Sequence, residues 1–204
     1  NDAYALDDTY RMAHHGETVA PLSAEGMHSL EFEAPADGKE VVVFENDGLR
    51  VVAFAVDHDP VEPAVGYRFE KDGRKVVISG DTSLNANIEA ASRDADLLIH
   101  EAQANHLVEI MQRVAEEAGD MQLAKIFSDI PDYHTTPIQA AELANAADVE
   151  LLILNHLTPS PENVVLKKAF MRGVSKVRSD KIILAEDGMI VRLPAEGRIE
   201  IIKP

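Results

Sequence analysis

The sequence predicts an α/β layered fold with mixed sheets and flanking helices. Turn-punctuated apolar runs crowd the first half, around Asn46-Asp47-Gly48 and Lys71-Asp72-Gly73, and read as two hairpins. Further on, short apolar runs alternate with segments of helical period, the pattern of strand–helix–strand units. The chain is 204 residues long and 46% hydrophobic, enough for one domain with a real core.

Taken in order, Asp7-Asp8-Thr9 caps a short helix over Tyr10–His14, and a loop follows to Pro35. Val41–Glu45 and Leu49–Val56 form the first hairpin; Val65–Glu70 and Arg74–Ser79 form the second. Leu84–Arg93 is helical, and "DLLIH", Asp96–His100, is a short buried strand. Ala104–Gly119 is a helix whose apolar positions are Leu107, Ile110, Met111, Val114 and Ala118, and Met121–Phe127 is a second one. Thr136 caps a helix that starts at Pro137 and runs to Ala147, because proline is pre-shaped for a first turn. "LLILN", Leu151–Asn155, is another buried strand, and Glu162–Arg172 is helical. Lys181–Ala185 and Met189–Leu193 are strands flanking Asp187-Gly188, and Arg198–Ile202 adds one more. There is no internal repeat and no low-complexity linker, so residues 1–204 read as a single domain.

Composition narrows the chemistry. With no cysteine, disulfides, thiolate zinc sites and cysteine nucleophiles are excluded. Any metal site must use His, Asp and Glu, which suits zinc, manganese or iron. A net charge of −17 repels phosphate backbones and disfavours nucleic acid as a partner. The one basic concentration, Lys167-Lys168 with Arg172, Lys176 and Arg178, reads as a solvated helix face. No apolar run reaches bilayer-spanning length, and no basic-then-apolar leader is visible, so no membrane partner is expected and the compartment stays open.

Several ionisable residues share one placement. "VVISGDTSLN" is an apolar strand that stops at Asp81; either the next helix is capped there or the carboxylate is a metal ligand. His58 ends "LRVVAFAVDH", His100 and Glu101 end "DLLIHE", His156 ends "LLILNH", and His134 lies in "DYHTTP" before a capped helix. Strand ends of α/β sheets are rigid and open to loops, which is where sites assemble. One such histidine alone is more often a buried structural residue. Four strand ends carrying His or Asp point to a site, since imidazole and carboxylate are the ligands a cysteine-free zinc centre needs. Thr82 or Ser83 can cap the following helix while Asp81 faces the metal.

The ordered set "VDHDPVEPAVGYRFE", "VVISGDTS", "DLLIHEAQ", "YHTTPIQAAELA" and "LLILNHLTP" resembles the metallo-β-lactamase fold, its ribonuclease Z-like and arylsulfatase-like branch, over roughly residues 40 to 160. The resemblance implies an αββα sandwich of which this chain is the C-terminal portion. It implies that His58 is a ligand of one metal, that Asp81 bridges two metals and that His156 binds the second. Zinc is the expected cofactor, as a pair, with manganese or iron as alternatives. His134 takes the role of catalytic proton donor, and Glu101 that of the carboxylate orienting it; His100 stays open between a structural and a site role. The implied activity is hydrolysis of an ester-type bond (phosphodiester, sulfate ester, carboxylic ester or lactone) by metal-held hydroxide.

The family's first metal motif, His-x-His-x-Asp-His, is absent, and His14-His15-Gly16 does not have its spacing. The expectation is therefore an N-terminally incomplete domain with about two protein ligands per metal, short of the usual three. Its unpaired edges favour a homo-oligomer. Bacterial relatives carry a tRNA-gripping insertion after "GYR", where this chain has only the tight Lys71-Asp72-Gly73 turn, so a small-molecule ester is the expected substrate. Residues 102–133 form a helical insertion in which Met111, Met121, Ile126, Phe127 and Ile130 either build a lid or pack as ordinary core. Two other readings stand beside the hydrolase. One is a truncated, non-catalytic chain acting through self-association; the other is an unrelated α/β binding module with coincidental histidines.

Overall fold

A computed structural model describes residues 31–204, of which residues 34–204 form one compact unit. The helix expected at Tyr10–His14 and the His14-His15-Gly16 stretch lie outside the described residues.

Seven strands form one sheet in sequence order: β1 (Glu40–Asn46), β2 (Leu49–Val56), β3 (Ala64–Lys71), β4 (Arg74–Ile78), β5 (Leu97–Gln103), β6 (Leu151–Thr158) and β7 (Ile182–Leu184). The first four pair antiparallel and the rest parallel, so the expected hairpins and strand–helix–strand units meet at β4. Both hairpin turns have two central residues at positive φ, Asp47 (48°) with Gly48 (74°) and Asp72 (50°) with Gly73 (79°). That is the turn geometry whose twist matches the flanking strands.

Helices make the parallel crossovers. α1 (Ala86–Ala91) links β4 to β5. α2 (Asn105–Glu117), α3 (Met121–Asp129) and α4 (Pro137–Ala146) lie between β5 and β6, and α5 (Val164–Phe170) leads to β7. The α4 start is as the sequence predicts. The Thr136 hydroxyl accepts from Gln139 N at 3.2 Å, and the Gln139 side chain returns to Thr136 N at 2.9 Å.

Strand alternation divides the core. Val77, Leu98, Leu152 and Leu154 point to the helical face and pack with Phe54, Ile88 and Phe170. Ala140, Ala141 and Ala144 give α4 a smooth face against this layer. On the other face Leu97, Leu151 and Ile153 meet Met189, Val191, Leu193, Ile199 and Ile201. The run around Met189 thus departs from a simple return beside β7. It forms β8 (Ile190–Arg192), which pairs antiparallel with β9 (Glu200–Ile202) in a separate two-stranded sheet laid over the large one. At the β1–β3 end the Arg68 guanidinium spans β2. It binds both Glu40 oxygens and donates from Nε to Glu70 at 2.7 Å, and its hydrogen bonds hold the Glu40 carboxyl below its ordinary value.

One helical face departs from expectation. Val108 and Ala115 are the buried residues of α2, whereas Ile110 is 46% and Val114 59% exposed. α2 packs against α3, where Ala124 is buried and Met121 is 64% exposed. With apolar residues on two faces, period alone could not say which one turns inward.

His100 lies on the helical face of β5, fully buried, its Nδ1–H donating to the Glu101 carbonyl at 2.7 Å. Burial holds its pKa below the usual imidazole value. The unfolded chain then binds the proton more readily. The associated stability is complete above the unfolded value of about 6.5 and falls with pH below it, by at most ~1.4 kcal/mol per unit. A His100→Leu chain is expected to lose up to one proton's worth of that slope between pH 5 and 6.5. Urea midpoints measured across that range check it, and identical slopes would refute it.

Candidate metal centre

The sheet gathers all five site residues at one end. The cluster is continuous: His156 Nε2 lies 3.4 Å from Asp81 Oδ2, the His134 and His156 rings are 6.0 Å apart, His58 meets His134 edge-on at 5.3 Å, and His134 Nδ1 is 3.1 Å from Glu101 Oε1.

Local backbone devices aim these groups. Gly80, just past β4, has φ 69°, and a Cβ there would stand 2.7 Å from the Val65 carbonyl oxygen, so only glycine turns the chain here. The next residue is Asp81. His156 is the extra residue of a bulge in β6: Asn155 pairs with Glu101 and Leu157 with Ala102, leaving His156 unpaired at φ 43°. A regular strand would return the ladder register at this position; the bulge instead sets the imidazole beside Asp81. The helix α1 is capped by Asn85, whose side chain accepts from Asn87 N at 2.7 Å. This corrects the expectation that Thr82 or Ser83 caps it, because both residues are bonded to the Asp57 backbone instead.

Glu101 lies within β5, which runs three residues past the predicted strand end at His100, and is 1% exposed. Its Oε1 accepts from Thr135 N at 2.9 Å, Thr82 N at 3.3 Å and His134 Nδ1. Since an ionised carboxylate only accepts, His134 donates to it through Nδ1–H, and Nε2 is the ring nitrogen that Glu101 does not engage. The Thr135 hydroxyl donates to the Thr82 carbonyl at 2.7 Å, and the Thr82 hydroxyl accepts from Asp57 N at 3.2 Å.

Asp81 and His156 are about half exposed, with side-chain exposures of 45% and 52%. A carboxylate and an imidazole at this separation suit a borderline divalent cation. The His58 Nδ1 is buried without a hydrogen-bond partner, and a ring nitrogen in that state is open to a further ligand. Among the described residues, however, no group of three His, Asp or Glu converges on one point. Asp81 and His156 are thus two donors of the kind a zinc-type ion takes, without a third converging on them among the described residues.

Sequence reasoning did not single out Tyr133. It ends the 3-10 turn Ile130–Tyr133, and its ring lies 5.1 Å from both His58 and His134. Its position in "DYHTTP", immediately before His134, was the available signal. The bonding roles of Thr82 and Thr135 were likewise not read. An open cleft of 810 Å³ lined by Asp37, Val56, Asp57, Glu62 and Asn85 shares Asp57 with the Thr82 hydrogen bond and Asn85 with the α1 cap, and includes none of the five site side chains. In the basic concentration, Lys167 is paired with Glu186 and Arg178 is bonded to Asn145 and to backbone carbonyls, which leaves Lys168, Arg172 and Lys176 as its exposed members.

A mixed sheet with flanking helices and histidine–carboxylate pairs at its strand ends defines a metallo-β-lactamase-type fold. Residues 4–157 match the beta-lactamase superfamily domain, and the chain belongs to that superfamily, as a ribonuclease Z-like member. Ribonuclease Z of Mycobacterium sp. (strain KMS) is 34% identical over 159 residues, 77% of this chain and 48% of the relative. Ribonuclease Z of Mycobacterium tuberculosis (strain H37Rv) is 33% identical over 161 residues, 78% of this chain and 50% of the relative. The metallo-beta-lactamase fold protein YhfI from Bacillus subtilis superposes with a TM-score of 0.50 at 21% identity, over 71% of this chain and 50% of that one, a likeness of fold. The chain spans about half the length of the curated relatives it matches. The fold expected from the sequence motifs is borne out. The relatives bear the name of an RNA-cleaving enzyme, which pulls against the expectation that nucleic acid is not a partner. Among the described residues no helix is long and apolar enough to cross a membrane.

Replacing Glu101 with alanine strips the acceptor from two backbone N–H groups. It is expected to cost about 2–6 kcal/mol, from two unsatisfied donors at roughly 1–3 kcal/mol each. Glu101→Gln keeps an acceptor oxygen in place and is expected to lose less than half as much. Equal losses for the two variants in chemical denaturation would refute this account of the carboxylate.

Proposed function

We propose that this chain carries the proton-donating part, and a portion of the metal-binding part, of a metal-dependent phosphodiester hydrolase. The observation behind this reading is the continuous cluster of His134–Glu101 with Asp81–His156 at one end of the sheet. The ribonuclease Z name of the relatives favours phosphodiesters over the sulfate, carboxylic ester and lactone alternatives, which have no comparable support.

Asp81 and His156 would hold a zinc-type ion, with His58 as a further donor. The bound ion supplies a lowered water pKa and stabilisation of developing negative charge on the substrate. The remaining chemistry belongs to the chain's own residues. His134 is a general acid: protonated on both nitrogens, it gives the Nε2 proton to the leaving oxygen. Glu101 keeps the Nδ1–H in place and stabilises the imidazolium form before the transfer. Tyr133 packs against both His58 and His134 and limits their rotation.

RNA is supported as the phosphodiester by the relatives' name. The charge of −17 and the tight Asp72-Gly73 turn argue for contact with a short stretch of polymer rather than a long electrostatic grip. The hairpin of α2 and α3 runs directly into the Tyr133–His134 segment, and its outward Met111, Met121 and Ile126 favour a lid or a self-association face over core packing.

The test loads the chain with zinc or manganese, measures retained metal after dialysis, and assays bis(p-nitrophenyl) phosphate and a short RNA. Asp81→Ala and His156→Ala are each expected to weaken metal binding more than tenfold. His134→Ala is expected to leave metal content unchanged and to lower turnover by about 10²–10⁴ where turnover is present. A fully loaded His134→Ala chain with undiminished turnover would sink the general-acid assignment. Undiminished metal binding in both ligand variants would sink the metal site.

A further inference from the structure

We infer that Thr135 is a positioning residue: its hydroxyl bond to the Thr82 carbonyl sets the spacing between the proton donor and the metal-binding side chains. This rests on the roles read above for His134 and Asp81. Both threonines are fully buried, and each immediately follows a site residue. Thr135 follows His134, Thr82 follows Asp81, and Thr82 is in turn bonded to Asp57, which precedes His58.

Every polar group of Thr135 is engaged. Its N–H donates to Glu101 Oε1 at 2.9 Å, its carbonyl accepts from Gln103 N at 2.8 Å, and its hydroxyl donates to Thr82 O at 2.7 Å. Thr82 gives its N–H to the same Glu101 oxygen. The three loops bearing His58, Asp81 and His134 are thus tied to one another at the residue adjacent to each site group. Neighbouring Cα atoms stand about 3.8 Å apart, so a slip at a threonine passes almost undiminished to the site residue beside it.

The choice of residue type fits this role. A β-branched side chain has a stiff χ1, so the hydroxyl direction is pre-set once the methyl is packed. The helix that follows does not need this hydroxyl, since Thr136 and Gln139 make its cap. Glu101 alone would tie the two loops through backbone N–H groups at 2.9 and 3.3 Å, the second of them long. The hydroxyl bond is the short, direct contact between the loops.

Thr135→Val keeps the shape and deletes the donor; Thr135→Ser keeps the donor. Two readouts on the whole chain separate positioning from bulk stability. The first is the ¹⁵N and ¹H resonances of the His134 ring in metal-free protein. The second is zinc affinity, measured by competition with a chromogenic chelator. We expect Thr135→Ser to keep the parent ring resonances and an affinity within about threefold. We expect Thr135→Val to move the ring resonances and to weaken zinc binding by about tenfold, the low end of the loss on removing a partner bonded directly to a ligand, because Thr135 reaches Asp81 only through Thr82. If the valine variant does not fold, Thr135→Cys, a near-isostere with a weak donor, is judged by the same criteria. Ring resonances unchanged in the donor-deleted variant overturn the inference, and so do serine and valine variants that behave alike. Should the parent chain bind no zinc, the functional reading fails, and the ring resonances alone decide the role of Thr135.

Discussion

One buried oxygen organises the site. Glu101 Oε1 accepts N–H groups from Thr82, Thr135 and His134, which belong to the loop after β4 and the loop before α4. A carboxylate at 1% exposure is costly unless donors replace its water shell. These donors do so for Oε1, and two of them are backbone groups that cannot rotate away, whereas Oε2 is buried without a hydrogen-bond partner. The loops are in turn held against β5. Glu101 can serve this role because β5 lies between β4 and β6 in the sheet, with parallel neighbours on both sides. Side chains at its carboxyl end therefore reach the loops of both flanking crossovers.

The two parts of the site differ in how they are held. His134 and Glu101 form a nearly dry pair, with side-chain exposures of 10% and 2%, fixed by backbone hydrogen bonds. Asp81 and His156 stand near half exposure, 3.4 Å apart. Folding alone sets the first pair. The second is placed by backbone conformation, through the positive φ of Gly80 and the bulge at His156, and leaves its polar atoms open to ligand. Non-glycine residues at positive φ are uncommon outside turns, and one that also breaks a strand ladder reflects a demand on where its side chain goes. The demand at His156 is proximity to Asp81.

What could be read from the sequence follows from how local each signal is. The strands were legible because apolar runs bounded by Asp-Gly turns carry their own register, and the α4 start was legible because Thr136-Pro137 and Gln139 act within one turn. The site residues were legible as a group because each follows or closes such a run. The bulge at His156 was not, since it depends on pairing with β5, more than fifty residues earlier. The threonine ties were not, since Thr82 and Thr135 are 53 residues apart and each looks locally like a capping residue. The inward face of α2 was not, because its choice of face depends on how α2 packs against α3 and the sheet, where Val108 and Ala115 are buried. Likewise Met189–Leu193 carries a strand signal but not the identity of its partner, which turned out to be β9.

The same logic explains why Asp81 and His156 stand more open than His134 and Glu101. Orienting the His134 ring takes one acceptor, and β5 with its neighbouring crossovers supplies both ring and acceptor here. A zinc-type centre needs three or four donors converging on a point, which demands side chains from more elements than β4 and β6 bring together. Asp81 and His156 meet because their strands flank β5 on either side, and His58, just past the end of β2, meets the His134 ring at 5.3 Å. Each further donor beside Asp81 and His156 would have to come from another strand end or loop, since among the described residues no group of three His, Asp or Glu converges there.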